Sequence, residues 1–137
     1  MAYSYVGEQW NKRSPEFKDW LRRSAVSWRK EPTVKRLLRP TRLDRARRLG
    51  YKAKPGIIVI RVRLRRGGAR KSRPSSGRRQ KAMGVVKIRR GISMQKIAEA
   101  RANRRYPNMM VRDSYYVHSD GRSHWYEVIL HDLNKLS

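Results

Sequence analysis

The residues of this chain best equipped to do chemistry are cations, and the chemistry open to them is anion binding. Between Arg45 and Ala98, 54 consecutive residues include 19 lysines and arginines and no aspartate or glutamate. Two like charges about 4 Å apart repel by roughly 1 kcal/mol even in bulk water, so a long block of one sign is costly until phosphates or counterions neutralise it. Across all 137 residues the formal net charge is +26, and arginines outnumber lysines by 25 to 11. A guanidinium is planar, permanently charged, able to hold phosphate in a two-pronged fork and able to stack on a base, whereas an ammonium is a hydrated point charge. The bias therefore favours structured recognition of a polyanion, and nucleic acid is the simplest one.

The candidate contacts fall into three groups. The first is Arg39, Arg42, Arg45, Arg47, Arg48, Lys52 and Lys54, with Tyr51 among them as a stacking group. The second is the alternating series Arg61, Arg63 and Arg65, extended by Arg66. The third is Arg70, Lys71, Arg73, Arg78, Arg79 and Lys81, in a stretch without a large apolar side chain.

Other chemistries have little foothold. A nuclease needs clustered carboxylates for metal ions or a positioned acid and base, and the acid-free block speaks against both. With no cysteine in the chain, disulfides, thiolate zinc sites and cysteine nucleophiles drop out together. Of the three histidines, His118 and His124 are expected on opposite faces of a hairpin, and His131 about eight residues, roughly 27 Å, along the strand from His118. No nucleotide-binding glycine loop of the dinucleotide or phosphate-loop type is present, so no cofactor or small-molecule substrate is expected. No window approaches the roughly 18 apolar residues of a membrane span, and the N-terminus lacks a signal-like apolar stretch, which points to a soluble, unexported protein, and the absence of cysteine fits a reducing compartment. A membrane-surface role would call for a helix with one basic and one apolar face, but the basic residues here lie on a strand and in loops.

The elements that must position these cations follow from local pattern. Ser14-Pro15-Glu16 supplies an N-cap, a first-turn proline and an early acid for a helix carrying Phe17, Trp20, Leu21, Ala25 and Trp28 on one face and ending before Pro32. Tyr3, Val6 and Trp10 predict a shorter helix before it. Residues 34–56, broken by Pro40, Gly50, Pro55 and Gly56, read as a loop with one helical turn, capped by Asp44. From Ile57 to Arg66, Ile58, Ile60, Val62 and Leu64 alternate with arginines, predicting a strand with one apolar face and one guanidinium face, its arginines about 6.6 Å apart.

Residues 67–82 cannot bury enough surface to offset an ordering entropy of about 1 to 2 kcal/mol per residue, so a flexible basic loop that orders on a phosphate surface is expected. A short strand at Met83–Ile88 and a helix at Met94–Arg105, capped by Ser93, come next. Two strands, Met109–Val117 and His124–Leu130, then meet at Asp120-Gly121, a two-residue hairpin signal. That turn pairs Val117 with His124, Tyr115 with Tyr126, Asp113 with Val128 and Val111 with Leu130. The expected architecture is α+β: a small antiparallel sheet with packed helices, an N-terminal helical segment and long basic loops, in one domain over residues 1–137. Met109–Ser137 holds only three basic residues against four acids, which makes the hairpin a scaffold and the middle of the chain the contact surface.

The run from Arg39-Pro40-Thr41-Arg42-Leu43-Asp44 through Arg45-Ala46-Arg47-Arg48-Leu49-Gly50-Tyr51-Lys52-Ala53-Lys54-Pro55-Gly56, followed by the arginine-alternating strand, carries a further signal. It resembles the archaeal and eukaryotic large-subunit ribosomal protein fifteen family, the archaeal branch above all. The similarity continues through Arg70-Lys71, Gly77-Arg78-Arg79, Ala98-Glu99-Ala100-Arg101-Ala102, Pro107-Asn108, Asp120-Gly121 and Glu127-Val128-Ile129-Leu130, so it covers essentially the whole chain. The resemblance implies a small antiparallel sheet with packed helices, basic extensions threading large-subunit ribosomal RNA, neighbouring ribosomal proteins as partners, a cytoplasmic ribosomal location and no catalysis. Members of the family typically continue into a basic C-terminal tail after an Asp-Pro segment, where this sequence has Asp132-Leu133 and then four more residues. Charge alone equally permits a general nucleic-acid-binding or DNA-compacting protein, and the family resemblance is what favours RNA.

Overall fold

The computed structural model describes residues 2–68, 70–85, 90–132 and 134. Two helices open the chain, α1 (Ala2–Lys12) and α2 (Pro15–Lys30). The Ser14 hydroxyl accepts a hydrogen bond from the Phe17 amide at 3.3 Å, as the Ser-Pro-Glu pattern requires. A short strand β1 (Val34–Leu37) and a short helix α3 (Leu43–Arg48) follow, then β2 (Ile57–Arg65), a single 3-10 turn at Gln80–Ala82, α4 (Met94–Arg105), β3 (Met109–Ser119) and β4 (Ser123–Asp132). The four strands form one antiparallel sheet in the order β1-β2-β4-β3. This is the α+β arrangement expected.

The sheet is covered on both faces. Ile57 and Val59 of β2, Tyr115 and Val117 of β3, and Trp125 and Ile129 of β4 pack against Trp10, Leu21, Ala25 and Trp28 of α1 and α2 and against Ala46 and Tyr51. On the other face Ile60, Val62, Leu64, Val128 and Leu130 meet Ala98 and Ala102, which are fully buried and let α4 lie close to the strands. Each large side chain removed from water in this way contributes about 1.5 to 3 kcal/mol.

Three expectations are corrected here. The stretch read as loop contains β1, which exists because β2 supplies its hydrogen-bonding partners, with Val34 opposite Val62 and Leu37 opposite Val59. In the hairpin, Val111 pairs with Leu130 as predicted. A bulge in β3 between Val111 and Asp113 then shifts the register, so that Tyr115 faces Glu127 and Tyr116 faces Tyr126, and a second between Tyr116 and His118 sets His118 opposite Trp125. The turn is closed by the Asp120 carboxylate, which accepts from the amides of Arg122 and Ser123, both at 2.7 Å. The strand expected at Met83–Ile88 lies partly outside the described residues, and Met83–Val85 are not in a strand.

Candidate nucleic-acid interface

The first basic group is built on α3. Leu49 ends the helix, the Gly50 amide donates to the Arg47 carbonyl at 3.0 Å, and the Tyr51 amide donates to the Ala46 carbonyl at 2.9 Å. This pair of bonds is the left-handed helix stop, and it needs the φ of +90° that Gly50 adopts. The reversal folds Tyr51 back against Ala46 into the core, so Arg45, Arg47 and Arg48 are left on the outer side of the helix, exposed, with Arg39, Lys52 and Lys54 exposed around them. Arg47 lies over the Tyr3 ring at 5.1 Å.

Two carboxylates fasten this loop. The Glu127 side chain, 0% exposed, accepts from the Thr41 amide at 3.3 and 3.0 Å and from the Tyr115 hydroxyl. Burial raises the Glu127 carboxyl above its ordinary pKa, against the hydrogen bonds from Thr41 and Tyr115 and the charge of Arg61, which pull it down. Burial, with the Glu127 charge and hydrogen bond, likewise raises Tyr115. Asp44, expected to cap α3, lies instead in the first turn, buried, where it accepts from Arg42 Nε at 3.3 Å, and that guanidinium in turn covers the Trp10 ring at 5.2 Å. Its position still suits the positive end of the helix.

The second group departs most from expectation. β2 does not present an open guanidinium face. Arg61 is buried, its guanidinium 2.6 Å from Glu31 and 4.3 Å from the centre of the Trp28 ring. Burial alone would raise the Glu31 carboxyl, but hydrogen bonds from Lys35 and Arg61 and their charges outweigh it and hold it below the usual carboxylate range. Arg63 is half-buried and donates to the Arg29 carbonyl. Only Arg65 and Arg66, at the end of the strand, are exposed; Arg66 also donates to the Asp120 carbonyl at 2.8 Å.

The third group lies on a segment without regular structure. Among the described residues from Gly67 to Arg79 there is no helix or strand, and all are exposed except Pro74. Arg70, Lys71, Arg73, Arg78 and Arg79 stand on it, and Lys81 on the 3-10 turn beyond. Beside this segment burial lowers the His124 pKa, and the charges of Arg66 and Arg90 push it the same way, which marks a positive local field.

Tyr51, Arg42, Arg61 and Arg63 are thus engaged within the protein, and the remaining candidates are displayed. Among the described residues the carboxylates that form ion pairs hold Lys12, Arg22, Arg29, Lys35, Arg42, Arg61 and Lys96. None of the exposed arginines among the candidates is in that set. Pattern reading also missed exposed cations on other elements: Arg36 on β1, Arg90, Arg101, Arg104 and Arg105 at or on α4, and Arg112 on β3, whose guanidinium lies against Gly50. The only sequence signal for these was the basic end of α4.

A scaffold whose ion-paired carboxylates hold other cations, and whose exposed candidate arginines are in no ion pair among the described residues, has the character of a basic structural protein. Residues 1–137 match the family model described as Ribosomal L15. The large ribosomal subunit protein eL15 of the archaeon Methanocella arvoryzae is 54% identical over 134 residues, which is 96% of this chain and 67% of that relative. The chain belongs to the ribosomal L15 family. It is therefore a structural constituent of the cytoplasmic ribosome rather than an enzyme.

Proposed function

We propose that the protein binds and stabilises large-subunit ribosomal RNA through three displayed surfaces. These are the α3 loop with Arg39, Arg45, Arg47, Arg48, Lys52 and Lys54, the strand end with Arg65 and Arg66, and the loop with Arg70, Lys71, Arg73, Arg78, Arg79 and Lys81. Residues 1–137 act as one RNA-binding unit, and loop 67–82 takes its final shape on the RNA. Arg61 and Arg63 act behind this surface by fixing the sheet to α2. Neighbouring proteins of the subunit complete the surroundings.

The observation that carries the reading is the unequal use of charge: among the described residues the carboxylates in ion pairs serve other cations and leave the displayed arginines open. Phosphate contacts of this type position a protein without reading sequence, so selectivity comes from RNA shape and 2′-hydroxyl groups. Competition tests it. Large-subunit ribosomal RNA should displace a labelled RNA fragment from the protein at far lower concentration than duplex DNA of equal phosphate content. Equal displacement would favour a general DNA-compacting protein and sink the ribosomal RNA reading.

A further inference from the structure

Where the end of β2, the start of the basic loop and the first turns of α4 meet, a groove of about 550 Å³ opens to solvent. That volume lies within the usual range of small-ligand sites, about 300 to 1,000 Å³. Its floor is apolar: Leu64, with only 2% of its surface exposed, and the half-buried Met94 and Ile97. Its rim carries Arg66, Arg70, Arg90 and Arg101.

These guanidinium groups are oriented without being neutralised. Arg90 donates to the Met94 sulfur and the Gly67 carbonyl, Arg101 to the Arg63 carbonyl at 3.4 Å and Arg66 to the Asp120 carbonyl at 2.8 Å. All of these acceptors are uncharged. Among the described residues no carboxylate lies in ion-pair range of any of the rim arginines, and none lines the groove.

A free phosphate would satisfy the rim and leave the floor wet, and an acidic side chain would do the same. A duplex offers phosphates but keeps its base faces stacked away. An unstacked nucleotide meets both requirements, with a flat apolar base for the floor and flanking phosphates for the arginines, whose planar groups also stack on bases. We propose that this groove receives an unstacked nucleotide from a single-stranded stretch of RNA, the base against Leu64, Met94 and Ile97 and the adjoining phosphates on Arg66, Arg90 and Arg101. The inference rests on the RNA-binding reading above and gives that surface one specific subsite.

The test compares a short single-stranded oligoribonucleotide with an abasic strand of equal length and phosphate number, each titrated into the full chain. Loss of one bound base typically costs a factor of about ten, so the intact strand should bind about tenfold more tightly. The double variant Arg90→Ala/Arg101→Ala alters exposed side chains only and should bring that ratio close to one. A strand carrying a photoreactive base should crosslink to the Met94–Arg101 segment in the parent protein and not in the variant. Equal affinity for intact and abasic strands would overturn the groove assignment while leaving phosphate binding intact, and an unchanged ratio in the double variant would overturn its location. If polyglutamate blocks the crosslink as effectively as RNA does, the groove is an acidic-peptide site instead. Binding of neither strand would overturn the RNA reading together with the subsite.

Discussion

Arg61→Met separates scaffold from contact surface. The change keeps much of the aliphatic volume and removes a hydrogen-bonded ion pair with Glu31 at 2.6 Å and a cation–π contact with Trp28 at 4.3 Å. A hydrogen bond to a charged group contributes about 1.5 to 3 kcal/mol, and a desolvated cation–π contact about 0.5 to 2. Glu31 keeps Lys35 at 2.7 Å and is 18% exposed, so it is not stranded, and the net loss works out at about 2 kcal/mol. With a urea dependence of about 2 kcal/mol per molar, the unfolding midpoint should fall by roughly 1 M.

The pH dependence has a definite sign. Lys35 and Arg61 hold the folded Glu31 carboxyl below its ordinary value, so the stability it contributes is fully present above that value and is lost as pH falls through the lowered one. The gap between parent and variant should therefore narrow on acidification, down to the part carried by the Trp28 contact. In RNA titrations the variant, measured where it is folded, should keep the parent slope of log affinity against log salt. An unchanged urea midpoint, together with a slope reduced by about 0.7 to 0.9, would show Arg61 on phosphate and refute the burial argument.

Four further outcomes follow from the same structure. Gly50→Ala should lower stability by about 1 to 2 kcal/mol in thermal unfolding because of the left-handed backbone, and more because a β-carbon there would lie 2.4 Å from the Arg112 guanidinium. Adding Arg112→Ala should recover the steric part alone. Glu127→Ala leaves the Thr41 amide and the Tyr115 hydroxyl unpaired, at about 1 to 3 kcal/mol each, and should speed tryptic cleavage after Arg42; unchanged cleavage would contradict an anchoring role. Arg78→Ala/Arg79→Ala should reduce the RNA salt slope by about 1.4 to 1.8 with no shift in the urea midpoint. Trypsin should cut loop 67–82 of the free protein readily and the RNA-bound protein slowly, and equal rates would count against ordering on RNA.

The helices were legible because their signals are local. Ser14-Pro15-Glu16 and Ser93 each announce a helix start within a few residues, and both caps are formed. β1 was not legible, since four residues after Pro32 and Thr33 become a strand only through pairing with β2. The hairpin register was right at Val111 and Leu130, but a bulge inserts a residue without any local mark, and the one between Val111 and Asp113 brought Tyr115 opposite Glu127. Arg61 looked free because its acid lies thirty residues earlier in the chain and only the fold brings Glu31 to it. Tyr51 looked like a stacking group among lysines. Its place just beyond the Gly50 helix stop is what sends it inward.

The two-sided burial of the sheet has an electrical consequence. The α3 cations belong to the layer on one face of the sheet, while the arginine-rimmed groove opens beside α4 on the other. A sheet with a layer packed on each side is about 20 Å thick, while charges in physiological salt are screened over about 8 Å. The two basic surfaces therefore hardly sense one another. On the proposed RNA-binding reading, a strand held on one side would leave the field that meets a strand on the other almost unchanged, and the molecule would act as a rivet between two strands that repel each other without it.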